Sequence, residues 1–252
     1  SLFLFALLLT AHGGNAATPM LATGSGHTLG LQRDGRLLAW GDDGLGQLGS
    51  ARALRSATPI SPVGLPLVQQ MVGGSDFVAA LAVDGTVYSW GGNSSGQLGD
   101  GSRAGRAAVR QIAGLAGVTA LAAGSAHMVA LGSDGSLWAW GAAGLVGDGS
   151  TATRSRPVQL ATGVVMTAIS SRHRHTLALA LDGSVYAWGD NDYGQLGDGS
   201  TSVRTKPVRL TGLPTAIVAV SAGAYHSLAL AADGTVYTWG DGSAGQLGAS
   251  GG

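Results

Sequence analysis

Apolar and small or polar residues alternate through "HTLALAL" (His175 to Leu181). Leu177, Leu179 and Leu181 share one side of an extended chain, and Thr176, Ala178 and Ala180 the other. A period of two is the pattern of a strand. Asp182-Gly183 follows, a strong hairpin signal, and "SVYAWG" (Ser184 to Gly189) answers it. Upstream, "VVMTAIS" (Val164 to Ser170) is β-branched and roughly alternating. "PVQL" (Pro157 to Leu160) is a short apolar segment opened by proline, which suits an edge strand. The unit from Pro157 to Thr205 therefore reads as four short antiparallel strands, with Pro157 to Leu160 as the first.

The unit recurs. Trp-Gly pairs begin at Trp40, Trp90, Trp140, Trp188 and Trp239, a period near 50. An Asp-Gly pair starts six residues before each Trp, at Asp34, Asp84, Asp134, Asp182 and Asp233. Seven residues before each of these Asp stands His27, Phe77, His127, His175 or His226. A motif copied five times is a building element rather than an active site, and this period points to solenoids, propellers or arrays. A single four-stranded sheet cannot bury both faces, but sheets stacked radially can, and closure of the ring protects the edges. Period-2 patterning and dense glycine exclude a helical solenoid. The expected fold is all-β, a β-propeller of four-stranded antiparallel blades with five repeats visible. At least four complete blades are expected, with almost no helix beyond Ala17. The five Trp residues should be buried between blades. The first repeat lacks a clear Pro-Val strand, so five repeats are not expected to close a comfortable ring. An open arc, or self-association through an open edge, is expected instead.

Composition narrows the function more than the fold. Among 252 residues there are 44 Gly, no Cys, no Glu and one Lys, Lys206. Disulfides and Cys-based zinc sites are excluded, and a net charge of zero removes the simplest argument for nucleic acid. "SLFLFALLLTA" opens the chain, followed by the small residues "HGGNAA". The run has the length of a signal-peptide core and is too short for a membrane span. Residues 1–17 thus read as a secretory leader and 18–252 as the propeller domain, in a secreted, periplasmic or envelope-exposed protein. The alternative makes the run a strand of the first repeat, with Leu9 where Pro157 sits later, and the protein cytoplasmic.

The segments "GSAHMVALGSDGSLWAWG", "HTLALALDGSVYAWGDNDYGQLGDGS" and "HSLALAADGTVYTWGDGSAGQLG" together resemble the regulator-of-chromosome-condensation repeat, over essentially Met20 to Gly248. The resemblance implies a β-propeller, usually of seven blades. It also implies a choice of roles: exchange factor for a small nuclear GTPase, ultraviolet photoreceptor, secreted β-lactamase inhibitor or ubiquitin-ligase module. Fold alone does not choose among them. Departures are Phe77 for His, Ala108 for the proline of a strand, and a two-residue deletion in "GAAGLVGDGS". The photoreceptor carries Gly-Trp-Arg-His-Thr where this chain has Arg172 to Thr176, with His173 in place of Trp, which argues against light sensing.

No chemistry stands out. The four equivalent histidines read as hydrogen-bonded supports of a turn, not as metal ligands. "SRHRHT" (Ser171 to Thr176) reads as a polar contact patch, since its arginines repel cations. "DNDYG" (Asp190 to Gly194) resembles part of a calcium loop but lacks the other ligands. In "GQLG" the Leu should plug into a neighbour and the Gln amide should satisfy loop backbone groups. No nucleophile–base–acid constellation is visible, and catalytic, cofactor and metal sites are all called as none.

Charge placement is uneven. Ten basic residues follow the Gln-Leu motif: Arg52, Arg55, Arg103, Arg106, Arg110, Arg154, Arg156, Arg204, Lys206 and Arg209. With Arg172 and Arg174 they give the rim before each His twelve cations against nine Asp, a sum of +3. The hairpin rim, with five Asp against Arg33 and Arg36, sums to −3. The expected function is a non-catalytic scaffold that binds an acidic protein partner through Arg103, Arg106, Arg154, Arg156, Arg172, Arg174, Arg204 and Lys206. The alternatives are a hydrolytic or carbohydrate-active propeller with a site at the central channel, and a guanine nucleotide exchange factor-like regulator.

Overall fold

The computed structural model describes residues 17–50, 54–214 and 216–248. The apolar run at 1–16 and Arg52 lie outside the described residues. The described chain forms nineteen strands in five antiparallel sheets and no helix. The first blade is β1 (Met20–Thr23), β2 (His27–Leu31), β3 (Leu37–Asp42) and β4 (Arg55–Ile60). The second is β5 (Val68–Gly73), β6 (Phe77–Ala82), β7 (Val87–Gly91) and β8 (Arg106–Gln111). The third is β9 (Val118–Ala123), β10 (His127–Gly132), β11 (Leu137–Gly141) and β12 (Arg154–Gln159). The fourth is β13 (Met166–Arg172), β14 (His175–Ala180), β15 (Val185–Gly189) and β16 (Arg204–Arg209). The fifth is β17 (Ile217–Ala222), β18 (His226–Ala231) and β19 (Val236–Gly240). Four complete blades and the absence of helix agree with the patterning.

The Pro-bearing strand is placed differently from the sequence reading. Val158 pairs with Ala139 of β11, so "PVQL" closes the third blade instead of opening the fourth. Pro59, Pro157 and Pro207 all fall in fourth strands, whose outer edge has no ladder to which an N–H must be donated. Gln111 lies opposite Tyr88 as Gln159 lies opposite Trp138, so Val109, not Ala108, occupies the proline position of the second blade.

Blades pack in chain order. β1 meets β5, β5 meets β9, β9 meets β13, and β13 meets β17, so first strands line the inside and fourth strands the outside. Among the described residues no comparable packing joins the fifth blade to the first. The end blades accordingly leave apolar side chains exposed, with Leu21 at 57% and Val236 at 58%, where interior blades bury or half-bury the equivalent residues. Trp90, Trp140 and Trp188 are fully buried between blades, as expected, whereas Trp40 and Trp239 are half-buried because each belongs to an end blade.

Trp90 and Trp140 each donate an indole N–H to a backbone carbonyl of the preceding blade, Gln47 and Gln97, both at 2.9 Å. Trp239 does the same to Gln195 at 2.9 Å. Trp188 has no such acceptor. It faces the turn shortened by two residues, where Leu145-Val146 replaces Gln-Leu. In that turn Gly147 (φ +90°) admits no side chain, since a Cβ would lie 2.7 Å from the Trp188 indole nitrogen. The Gln amides act as anticipated: Leu45, Ser95 and Tyr193 donate backbone N–H to the side-chain oxygens of Gln47, Gln97 and Gln195 at 2.8–2.9 Å.

Candidate partner-binding rim

Two sets of loops meet on one rim: the turns before the second strands and the long loops before the fourth strands. Register fixes this, because His127 pairs with Gly141 and Gly141 with Arg154, just as His175 pairs with Gly189 and Gly189 with Arg204. The inner turns are tied to one another by backbone bonds between blades: Ser25 N–H to Ser75 O at 3.1 Å, Ser75 to Ser125 at 3.0 Å, and Ser125 to His173 at 2.6 Å. These turns, with the loops after the third strands, line an open concavity of about 600 Å³ that includes Ser25, Asp42, Gln47, Ser75, Asp76 and Gln97.

The His27, His127 and His226 rings pack beneath the glycine of their own turns, Gly24, Gly124 and Gly223, and the hydrogen bonds of His127 and His175 reach the next blade. His127 Nε2 lies 3.0 Å from Thr176 Oγ1 and 2.9 Å from Ser171 Oγ, and His175 Nε2 lies 2.9 Å from Ser227 Oγ. Thr176 and Ser227 each follow the repeat histidine of the next blade. Burial first, then the nearby His175, Arg174 and His173 charges, depress the His127 pKa to about 3. Burial likewise takes His175 to about 4. Both rings are therefore neutral at physiological pH. His27 has neither ring nitrogen bonded, because Val78 stands at the position of Thr176.

The eight predicted contact residues divide in two. Arg106, Arg154 and Arg204 are half-buried, and each pairs with an Asp six residues earlier in its own loop: Asp100, Asp148 at 2.5 Å and Asp198 at 2.6 Å. The other carboxylate oxygen of each Asp accepts the backbone N–H of Ser102, Ser150 or Ser200 at 2.8–3.0 Å. These three arginines hold their loops in shape. The spacing Asp-Gly-Ser-x-x-x-Arg, present in three repeats, carried that signal in the sequence.

Arg103, Arg156, Arg172, Arg174 and Lys206 are exposed. Arg103 donates to Ser94 O at 2.8 Å, and Arg174 lies 3.6 Å from Asp190. Arg156, Arg172 and Lys206 have no ion-pair partner among the described residues. The guanidinium of Arg156 and the stem of Lys206 cross the blade junction over Gly101 and Gly149, whose N–H groups bond to Ser155 O and Thr205 O. Arg209 is misplaced by the sequence reading. It ends β16 beside Ser184 Oγ, at 2.9–3.0 Å, and belongs to the hairpin rim.

Two features escaped the sequence reading. Gly92-Asn93-Ser94-Ser95-Gly96 spells a nucleophile elbow, yet it is a turn that opens no helix. Its Asn93 is buried and staples the loop, accepting from Leu98 N–H at 2.9 Å and donating to Ala104 O at 3.1 Å. Asn191 in "DNDYG" does the same work with Leu196 and Ser202, at 3.0 and 3.1 Å. The second feature is aromatic. His173 meets Tyr225 edge-on, with ring centroids 4.7 Å apart, and Tyr225 lies 4.9 Å from Tyr193.

Five four- or three-stranded antiparallel blades with these junctions define a β-propeller repeat protein. The family described as RCC1-like domain matches residues 9–251, and the chain belongs to it. Among solved structures it is similar to human WBSCR16 (26% identity, TM-score 0.80), over 89% of this chain and 62% of that one. It is also similar to Prp20p from Saccharomyces cerevisiae, studied for its binding to Gsp1p and histones (27%, 0.80, 91% and 59%). A third match is yeast RCC1 (Prp20) bound to Kap60 (28%, 0.76, 88% and 56%). The chain thus spans about three fifths of the length of these relatives.

Proposed function

We propose that this propeller is a non-catalytic scaffold that binds an acidic protein partner through the rim of inner turns and long loops. The observation that carries this reading is the set of exposed cations on one rim, Arg103, Arg156, Arg172, Arg174 and Lys206, with Arg103 inside and Arg156 and Lys206 just after the loops held by the Asp–Arg pairs. Loops on a rigid frame are free to carry function, and exposed arginine pairs readily with carboxylates. The relatives that bind Gsp1p, histones and Kap60 support a protein-binding role. A secreted or envelope setting rests on the apolar run at the N-terminus alone.

The test is to capture partners with the wild-type chain and with Arg103, Arg156, Arg172 and Lys206 reversed to Glu. Selective loss of bound protein on reversal supports the rim, with binding that weakens as salt rises. Retention of the same partner by the reversed variant, with loss on Arg33→Glu or Asp84→Lys, would place the surface on the hairpin rim instead.

A further inference from the structure

The rim has one place where cations and aromatics are interleaved, and it lies on the fourth and fifth blades only. Its parts come from three separate segments. The turn between β13 and β14 supplies Arg172, His173 and Arg174. The "DNDYG" loop supplies Tyr193, and the turn between β17 and β18 supplies Tyr225. At the equivalent positions the first two blades carry Ser25 and Gly26, then Ser75 and Asp76, with Leu45 and Ser95 in the loops. The aromatics are thus not part of the repeat pattern, and the blade fold does not need them.

The geometry is pre-set. His173 sits at φ +52°, the one non-glycine residue with positive φ among the described residues, and its ring closes edge-on against Tyr225. Such strain persists where the surroundings hold it, and it marks places worth a functional hypothesis. The His173 carbonyl is fixed by Ser125, through both the backbone N–H at 2.6 Å and the hydroxyl at 2.7 Å. Tyr193 leans on Tyr225 yet remains 53% exposed, so it offers a rigid apolar face to solvent. On either side of His173 in the chain, Arg174 has Asp190 at 3.6 Å, whereas Arg172 is exposed with no carboxylate partner among the described residues. Tyr and Arg are the residues that dominate binding energy at interfaces, because they bury a large area at small entropic cost.

We infer that His173, Tyr193 and Tyr225, with Arg172, form the anchoring point of the rim for an acidic protein segment that lays an aromatic side chain on Tyr193 and sets a carboxylate on Arg172. This rests on the rim reading above and locates it. Asp190 and Asp192 border the cluster and disfavour a run of unbroken negative charge, so the segment fits best when an aromatic residue lies between its acids. The widely spread cations Arg103, Arg156 and Lys206 then serve approach and orientation more than grip.

Random copolymers provide the probe. Immobilised wild-type protein is titrated with poly(Glu,Tyr), with poly-Glu and with oligothymidylate. Poly(Glu,Tyr) should bind at least about tenfold more tightly than poly-Glu, roughly 1.4 kcal/mol. Tyr193→Ala and Arg172→Ala should each erase most of that difference, and Tyr193→Phe should keep it. Both sites are exposed, and Trp fluorescence melts confirm that the variants fold. Equal binding of the two acidic polymers that is lost on reversing Arg103, Arg156 and Lys206 leaves the rim reading intact and overturns the cluster. Oligothymidylate bound more tightly than poly(Glu,Tyr), and lost with Tyr193→Ala, overturns it in favour of base stacking. Absence of binding to any acidic polymer counts against both readings.

Discussion

The junction between the first two blades is wrong in one atom, and correcting it measures what the histidine ring contributes. At the later junctions the ring Nε2 reaches a hydroxyl one blade on, Thr176 at 3.0 Å and Ser227 at 2.9 Å. Phe77 faces Met128, an apolar match. Val78 holds the equivalent position for His27, and both ring nitrogens of His27 are buried without a partner among the described residues. Thr has the shape of Val with one methyl exchanged for a hydroxyl. Val78→Thr buries a hydroxyl, which costs about 1–3 kcal/mol if unpaired. Here it would find His27 Nε2 and also relieve that ring of its own penalty. The net expectation is stabilisation by about 1 kcal/mol. In a His27→Phe background the hydroxyl has no ring nitrogen to bond, only the Gln47 carbonyl already taken by Trp90, and the same change should destabilise by about 1–3 kcal/mol. The double-mutant cycle therefore predicts a coupling of about 2–4 kcal/mol. Urea titration followed by Trp fluorescence reads all four proteins. If Val78→Thr lowers stability equally in both backgrounds, the hydroxyl does not reach the ring, and the one-blade pairing rule is wrong for this junction.

Two further outcomes follow from the same junctions. Trp140→Phe and Trp188→Phe both shrink a fully buried indole, but only the first also strips the Gln97 carbonyl of its donor. Trp140→Phe should cost about 1 kcal/mol more in urea, and equal losses would count against the hydrogen bond. Acid should loosen the fold through its buried histidines. Burial lowers the folded pKa of His27, of His127 to about 3 and of His175 to about 4, against 6.5 when unfolded. The unfolded chain then binds more protons, so stability is full above pH 6.5 and falls as pH drops towards 4. By pH 5 the His127 and His175 rings should each cost about 2 kcal/mol, and His127→Gln should flatten the slope between pH 6.5 and 5. An unchanged slope would show that His127 is not held neutral.

Much of the frame was legible because it is local or periodic. Strand alternation, the Asp-Gly hairpins and the recurring Trp each depend on residues within one repeat of fifty. What escaped was pairwise and long-range. Nothing local says whether Pro157 to Leu160 opens one blade or closes another, since both readings give the same strand. Only the register of Val158 opposite Ala139 decides it. The His127–Thr176 and His175–Ser227 bonds span 49 and 52 residues. They become a visible rule only once blades are seen to pack in chain order. The aromatic cluster joins residues 173, 193 and 225, none of which belongs to the repeat signature.

The candidate site suffered from a different difficulty. A sum of formal charges treats every arginine alike, yet the fold spends Arg106, Arg154 and Arg204 on its own loops. Burial pushes the Asp198 carboxyl up, and the Ser200 hydroxyl, the Arg204 guanidinium and the Ser200 N–H more than offset this, holding it below the usual range. Each such pair is nearly silent to a partner at a distance, because its field is that of a short dipole. With Arg209 moved to the hairpin rim as well, the axial polarity read from the sequence shrinks. The remaining cations are too few and too far apart to grip by charge alone, since exposed pairs contribute little each. Affinity on this face must therefore come from desolvated contact area. On this rim, the fourth and fifth blades, where His173 packs on Tyr225 and Tyr225 on Tyr193, offer such area, and exposed Arg172 adjoins His173 in the chain.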